Sequence, residues 1–367
     1  MLLSPASWRR VMPNENKDPE QKPAIRRGRG LRLSTEGAAA EAQAPAEPAA
    51  APQTTPARRG RGLRLSTTAT PPEAPPPPPP PTPAVAPLVR TQIATPAGAL
   101  SYLSGGVDGG HPLIMLHGWG ATVRIWANVA ATLAPQRKLY LLDLPGAGAT
   151  PARLTIPTLN ALADELRAFV ATLGLERFDL LGHGLGAAVA ALVAGQQHRR
   201  VSRLALIGFG IRDFAPDLLA MSLARLPFDI SVGMARPLVD VWQPFNRAFM
   251  QSPPMERSMS AALLYTQPSD IELWLHYLAD LATADARAYM TWLTMPGEAA
   301  LHAALSEISI PTLCIAGRED RIVRLAEAKA AYMRIPGSEL LILDACGHMP
   351  MIEQPEALHN ALREFFG

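Results

Sequence analysis

A histidine, a carboxylate and three glycine-rich turns are the parts of this 367-residue chain whose types and spacing could do chemistry. His348 lies in Gly347-His348-Met349-Pro350, and Asp320 stands 28 residues earlier in Gly317-Arg318-Glu319-Asp320-Arg321-Ile322-Val323. An imidazole beside a carboxylate can take up and release a proton near neutral pH. The three turns are His117-Gly118-Trp119-Gly120, Asp143-Leu144-Pro145-Gly146-Ala147-Gly148 and Gly182-His183-Gly184-Leu185-Gly186, each after an apolar run. Glycine lets such a backbone turn sharply and point N–H groups at an oxygen that gains charge.

Those residues need elements to hold them. Val89–Ala94 and Gly98–Ser104 read as an opening hairpin or edge strands, and Leu113–His117, Leu139–Leu144, Phe178–Leu181 and Leu204–Ile207 as buried strands. Helical spacing runs over Ile125–Leu133, Leu159–Leu173 and Ala187–Ala194. Residues 211 to about 300 break this rhythm; they are rich in Met, Leu, Trp and Phe, with helical spacing over Leu263–Asp280 and Ala282–Leu293. Alternation resumes with a strand at Thr312–Ala316, a helix at Ala326–Met333, a strand at Leu340–Leu343 and a helix at Ala357–Phe366. Strands alternating with helices predict an α/β fold, a mainly parallel sheet with helices on both faces, and a helical cap over about 211–300.

From about residue 90 to its end the chain resembles the α/β-hydrolase superfamily, in the capped branch of carboxylesterases, C–C bond hydrolases, epoxide hydrolases and haloalkane dehalogenases. Four segments match in order. His117-Gly118-Trp119-Gly120 resembles the oxyanion loop, which implies that Trp119 supplies one N–H. The Asp143 segment resembles D-x-P-G-x-G, in which Asp143 ties a structural turn. Leu180 to Gly186 resembles the nucleophile elbow G-x-S-x-G, with Gly184 where the serine would stand and Leu185 giving the second oxyanion N–H. The last segment implies Asp320 as the acid and His348 as the base it orients. Glu319 is the adjacent alternative acid, and Asp213 a second position where some relatives carry it. His183 reads as structural.

At Gly184 there is no hydroxyl, thiol or carboxylate, so neither ester acyl transfer nor the aspartate chemistry of dehalogenases and epoxide hydrolases can start there. Three readings stay open. The protein is a non-hydrolytic member, a small-molecule binder or scaffold, because glycine relieves elbow strain of about 1–3 kcal/mol. Or His348 and Asp320 act as a general base, on a water in the space the side chain leaves or on the substrate itself. Or an esterase has been weakened, since oxyanion hole and binding alone still give about 10³–10⁴-fold catalysis over water. No cofactor or metal is implied. The cap residues Phe228, Met234, Trp242, Phe245, Phe249, Met250, Trp274 and Trp292 supply cap core and some of the cleft, which predicts a small apolar ligand, uncharged or weakly polar.

Residues 1–88 hold most of the 37 prolines and few large apolar side chains, the composition of a disordered tail ahead of a domain over 89–367. Residues 1–89 carry 12 Arg and Lys against 7 Asp and Glu, net +5; the totals of 34 and 32 leave 22 against 25, net −3, for the rest. The decapeptide Arg26–Thr35, RRGRGLRLST, recurs unchanged as Arg58–Thr67. It reads as a docking element for an anionic partner (acidic protein, nucleic acid or anionic membrane surface) or as a duplicated solubilising linker. Pro75–Pro81 reads as a polyproline spacer. The two cysteines form no disulfide framework: Cys314 sits in an apolar strand, and Cys346, near His348, reads as a small loop residue rather than a stand-in nucleophile. Neither a signal peptide nor a run of about 20 apolar residues is present, so a cytoplasmic protein without a transmembrane segment is expected.

Overall fold

The computed structural model describes residues 85–154, 157–197, 199–211, 248–249, 252–285 and 299–367. Both Arg/Leu repeats, the Pro75–Pro81 run, Asp213, Phe228, Met234, Trp242, Phe245, Met250 and Trp292 lie outside these residues.

The opening pair forms an antiparallel hairpin, β1 (Val85–Thr95) and β2 (Gly98–Val107). β1 begins ahead of residue 89 because Val85 and Ala86 pair with Val107 and Gly106. The register shifts between Ala86 and Val89, across Pro87, which has no N–H to give the ladder. Then come β3 (His111–Leu116), a 3₁₀ turn over Val123–Trp126 and α1 (Ala127–Leu133), where one continuous helix was expected. Thr122 sets that turn by accepting the Arg124 N–H. β4 (Arg137–Leu142), α2 (Leu159–Thr172), β5 (Phe178–His183), α3 (Leu185–Gln196) and β6 (Val201–Ile207) follow as the pattern predicts.

Between β6 and the next strand lie α4 (Pro253–Leu263), α5 (Ile271–Thr283) and α6 (Ala299–Glu307). The helix expected over 263–280 is broken. Leu264 turns to extended backbone, Pro268 has no N–H to give, and Asp270 starts a new helix by accepting the Leu273 N–H at 2.9 Å. The one expected over 282–293 contributes only the last residues of α5; Ala284 is extended, and 286–293 lie outside the described residues. β7 (Thr312–Gly317), α7 (Leu325–Arg334), β8 (Glu339–Leu343), α8 (Pro350–Glu353) and α9 (Pro355–Phe366) complete the chain.

The eight strands form one sheet in the order β1-β2-β4-β3-β5-β6-β7-β8, parallel from β4 to β8. Its two faces bury separate apolar layers. One gathers Phe169, Val189, Leu192 and Leu301, from α2, α3 and α6. The other gathers Trp126, Leu133, Trp274, Leu358 and Phe366, from the 3₁₀ turn, α1, α5 and α9. α3 is buried from Leu185 to Gly195 and is apolar all round, as a helix covered on every side must be. Among the described residues, no helix is long and apolar enough to cross a membrane.

Parallel strands end on the same side. The turns after β3, β5, β7 and β8 therefore meet at one edge, and these turns carry Trp119, Gly184, Asp320 and His348.

Candidate functional site

Gly184 joins β5 to α3 with φ 52° and ψ −113°, a backbone state that L side chains rarely adopt. Its N–H donates to the Ile207 carbonyl at 2.9 Å, and its own carbonyl accepts the Ala188 N–H at 3.2 Å, so the turn is held at both ends. A Cβ built on Gly184 would stand 3.5 Å from His348 Nε2 and 3.8 Å from Gly118 Cα; apart from the glycine and its two chain neighbours, no other atom of the described residues comes within 4 Å. The elbow thus points at the imidazole.

The imidazole is fixed from behind. His348 Nδ1 lies 2.8 Å from Asp320 Oδ2, and the second oxygen of Asp320 accepts the N–H groups of Ile322 and Val323 at 2.8 and 2.9 Å. Burial alone would raise the Asp320 pKa. The His348 ring and the two N–H bonds outweigh it and hold the carboxyl below the usual carboxylate range. The His348 side chain is only 7 % exposed. Its backbone N–H donates to the Leu263 carbonyl at 2.8 Å, where α4 ends.

His183 is structural, as expected: its Nε2 lies 3.0 Å from the His348 carbonyl. Burial, and then the neighbouring His348, push its pKa down to about 3, so it stays neutral and donates from Nε2. His117 bridges two strand ends, with Nε2 accepting the Leu144 N–H and Nδ1 facing the Gly118 carbonyl, both at 2.9 Å. Burial lowers its pKa and keeps this neutral tautomer.

Leu185 is the first residue of α3, and Ala188 is the first to donate within the helix. The N–H groups of Leu185 and Gly186 therefore have no helical acceptor. Trp119 lies on the turn facing them, and its carbonyl accepts from Tyr277 Oη at 3.3 Å. Asp143 ties its loop by accepting from Arg90, Val123 and Ala149.

The alternatives separate cleanly. Glu319 accepts the Cys346 N–H at 3.0 Å and does not reach the His348 ring, so the acid against the imidazole is Asp320. Cys346 is fully buried, and its Sγ turns to the Gly347 carbonyl and the Glu353 carboxylate. Burial, with Glu353, Asp320 and Glu319 close by, raises its pKa far above the ordinary thiol value. Trp274 is buried and stacks on Tyr277 at 5.5 Å, while Phe249 is exposed.

Two supports escaped the sequence reading. Glu353 accepts the N–H groups of Tyr265, Thr266 and Gly347 at 2.7, 2.9 and 2.9 Å, tying the His348 turn to the end of α4. Burial raises its pKa despite these bonds. Asp280 of α5 accepts Thr122 Oγ1 at 2.6 Å and pairs with Arg124, which clamps the segment after Trp119. Glu353 had one sequence cue, its place five residues after His348 in a Pro-led helix. Asp280 had none.

A cleft of about 360 Å³ of empty space, adjoining solvent included, opens beside Gly118, Trp119 and Leu185. Its other walls include Leu144, Pro145, Ala147, Pro157, Leu162 and Ala284. Among the described residues, no cluster of His, Cys, Asp and Glu is placed to hold a metal ion.

A family model described as the alpha/beta hydrolase fold matches residues 111–355. The chain is 27% identical over 265 residues to a pimeloyl-[acyl-carrier protein] methyl ester esterase of Aeromonas hydrophila, covering 70% of this chain and 96% of that protein. It is also 27% identical to 2-hydroxy-6-oxononadienedioate/2-hydroxy-6-oxononatrienedioate hydrolase 2 of Pseudomonas putida, covering 70% of this chain and 88% of the relative. Among solved structures, a hydrolase from Pseudomonas aeruginosa PA01 superposes with a TM-score of 0.60 at 21% identity, over 76% of this chain and 98% of that one.

Proposed function

The chain belongs to the α/β-hydrolase family, and from that premise we propose that it is a non-hydrolytic member that binds a small apolar molecule between the inserted helices and the sheet. The observation that carries this reading is the gap in front of His348. Where a Cβ at 184 would stand, the nearest atoms beyond the glycine and its chain neighbours are His348 Nε2 at 3.5 Å and Gly118 Cα at 3.8 Å, and residue 184 itself has no oxygen or sulfur side chain to offer the imidazole. A covalent acyl-enzyme needs such an atom. The remaining parts suit binding. Apolar walls take up the hydrocarbon part of a ligand; Leu185 and Trp119 line the same cleft, and in this reading their N–H groups meet its polar end. The relatives include esterases of an acyl methyl ester, which points to an acyl-like ligand.

A second reading is favoured by the 2.8 Å contact between His348 and Asp320. In it, His348 works as a general base on a bound water or on the ligand, without a covalent intermediate. A fluorophosphonate probe together with ligand-observed NMR separates these from a surviving serine hydrolase. The wild-type protein is expected to bind medium-chain acyl compounds, to take no covalent label in its folded domain and to turn over no ester. Covalent labelling there would overturn the reading. Ester turnover without labelling that is lost in His348→Ala would select the second one.

The Arg/Leu repeats serve, in this proposal, as a bivalent docking element for an anionic partner. Deleting residues 1–88 should abolish capture of that partner and leave ligand binding in place. Unchanged capture would remove the idea. Both cysteines are free and buried, which supports a reducing, cytoplasmic setting.

A further inference from the structure

We propose that this chain pairs with a second copy of itself through the outer edge of β1, joining two eight-stranded sheets across a two-fold axis at Thr91.

β1 ends the sheet and is hydrogen-bonded to β2 alone among the described residues. Its other edge therefore offers a row of backbone N–H and C=O groups to a further strand. Natural edges of this kind are blunted by charged side chains, prolines or bulges. On β1 the proline and the bulge sit at one end only. Pro87 and the register shift between Ala86 and Val89 interrupt the ladder there, and from Val89 to Thr95 the pairing with β2 runs without a break. That regular stretch is about 24 Å long at the usual strand rise. Its one charged residue is Arg90, whose guanidinium is drawn back to Asp143 Oδ2 at 2.6 Å and Ser101 Oγ at 2.8 Å. The strand is not covered: Arg90, Thr91, Gln92 and Ala94 are exposed, and Val89 is 57% exposed. Leu154, 77% exposed, follows Arg153, which donates to the Ala99 carbonyl beside the hairpin turn. A second large apolar side chain thus stands in solvent by the same hairpin.

The residues of this stretch select the occupant. A two-fold axis normal to the sheet sets β1 antiparallel to its own copy and keeps every side chain on its face, so the axis falls on a residue. With the axis at Thr91, the two Thr91 side chains meet. Val89 of each copy meets Ile93 of the other, on the face shared with Leu100 and Tyr102, and Arg90 meets Gln92 on the opposite face. β-Branched and hydroxyl pairs of this kind stabilise sheets, and no like charges are opposed. An axis at Arg90 would set two arginines against each other. One at Gln92 would break the Val89–Ile93 pairs. The other sheet edge, β8, is five residues long and opens with Glu339. Joining β1 to β8 would be head-to-tail and would repeat without end, whereas β1 on β1 closes at two copies.

Sedimentation equilibrium of the full chain across a dilution series tests this. The wild type should rise from one chain mass to two and stop there. A monomer at every concentration leaves the edge to some other strand and overturns the proposal, as does a mass that climbs past two. Thr91→Lys sets two cations across the axis and should weaken the dimer at least about tenfold, because like charges directly opposed repel. Thr91→Glu should do the same, and an equimolar mixture of the two variants should recover the wild-type dimer. Met333→Lys, at an 80% exposed position off the strand, should leave the dimer unchanged. If Thr91→Lys fails to fold, Gln92→Lys, which opposes Arg90 of the other copy, makes the same test. A dimer that these lysines leave intact overturns the β1 edge. Variants that stay monomeric when mixed overturn the register at Thr91.

Discussion

Gly184→Ser tests the central geometry directly. The new Cβ would meet His348 Nε2 at 3.5 Å and Gly118 Cα at 3.8 Å, ordinary van der Waals contacts, so the side chain fits without displacing a neighbour. Its Oγ, one bond further, can turn into hydrogen-bond range of Nε2. The cost is backbone strain. With φ at 52° and ψ at −113°, an L residue should lose about 1–3 kcal/mol, and the melting temperature should fall by roughly 2–4 °C per kcal/mol. Removing such a serine from a working hydrolase costs on the order of 10⁶ in kcat, so restoring it here should raise hydrolysis of p-nitrophenyl butyrate at least about 10³-fold. Gly184→Ala carries the same strain without the oxygen and serves as the baseline. The assay is initial rate and fluorophosphonate labelling, with thermal melts of all three proteins. A folded serine variant with neither rate nor label would refute the alignment of elbow, imidazole and oxyanion donors.

Other outcomes follow from the supports. Asp320 has its folded pKa held below the unfolded value, so it contributes stability above about pH 4 that is lost as pH falls through the folded pKa. The wild-type melting temperature should therefore drop more steeply than that of Asp320→Asn between pH 5 and 3; parallel curves would deny the paired state. Glu353→Ala leaves three N–H donors unanswered and should cost at least about 3 kcal/mol in urea unfolding. In the Gly184→Ser background it should also abolish the regained esterase rate, because the turn carrying His348 loses its anchor; full retention of that rate would contradict this role. Burial pushes Cys314 up to about 12 and raises Cys346 further, so a disulfide-exchange reagent should find no reactive thiol in the native protein and two after denaturation. Rapid native labelling would mean that the His348 turn opens.

What the sequence made legible was backbone. Gly182, Gly184 and Gly186 mark the sharp turn, and Gly186 meets the Leu116 carbonyl so closely that a side chain has no room there. Such demands are local, and they appear as residue types at fixed spacing. The same holds for Asp320 and His348, each inside a short turn after a strand. Long-range polar support left no such trace. Glu353 reads as one charge on a terminal helix, yet its partners Tyr265 and Thr266 lie 88 and 87 residues away. Asp280 reads as the polar face of an amphipathic helix, and its work on Thr122 spans 158 residues. The helix that the spacing predicts over 263–280 fails for the opposite reason. Its apolar spacing continues across Leu264 and Leu273, while Pro268 and Asp270 impose the break. Periodicity outvoted punctuation there, and the cap at Asp270 decided otherwise.

Retention of Asp320 and His348 beside a glycine is weaker support for catalysis than it looks from sequence alone. Asp320 makes three hydrogen bonds, and two of them go to backbone N–H groups of its own turn. Losing the carboxylate would expose that turn whether or not His348 does chemistry. The backbone of His348 is equally committed, donating to Leu263 and accepting from His183. Those bonds survive any side chain at 348. The imidazole is different, because one of its nitrogens serves Asp320 and the other serves nothing among the described residues. Packing alone would be met by an apolar side chain of similar size. In the reading proposed above, a ligand oxygen or a water takes that second hydrogen bond. The Asp320 carboxylate is accounted for by the fold, and the Nε2 of the His348 ring is not.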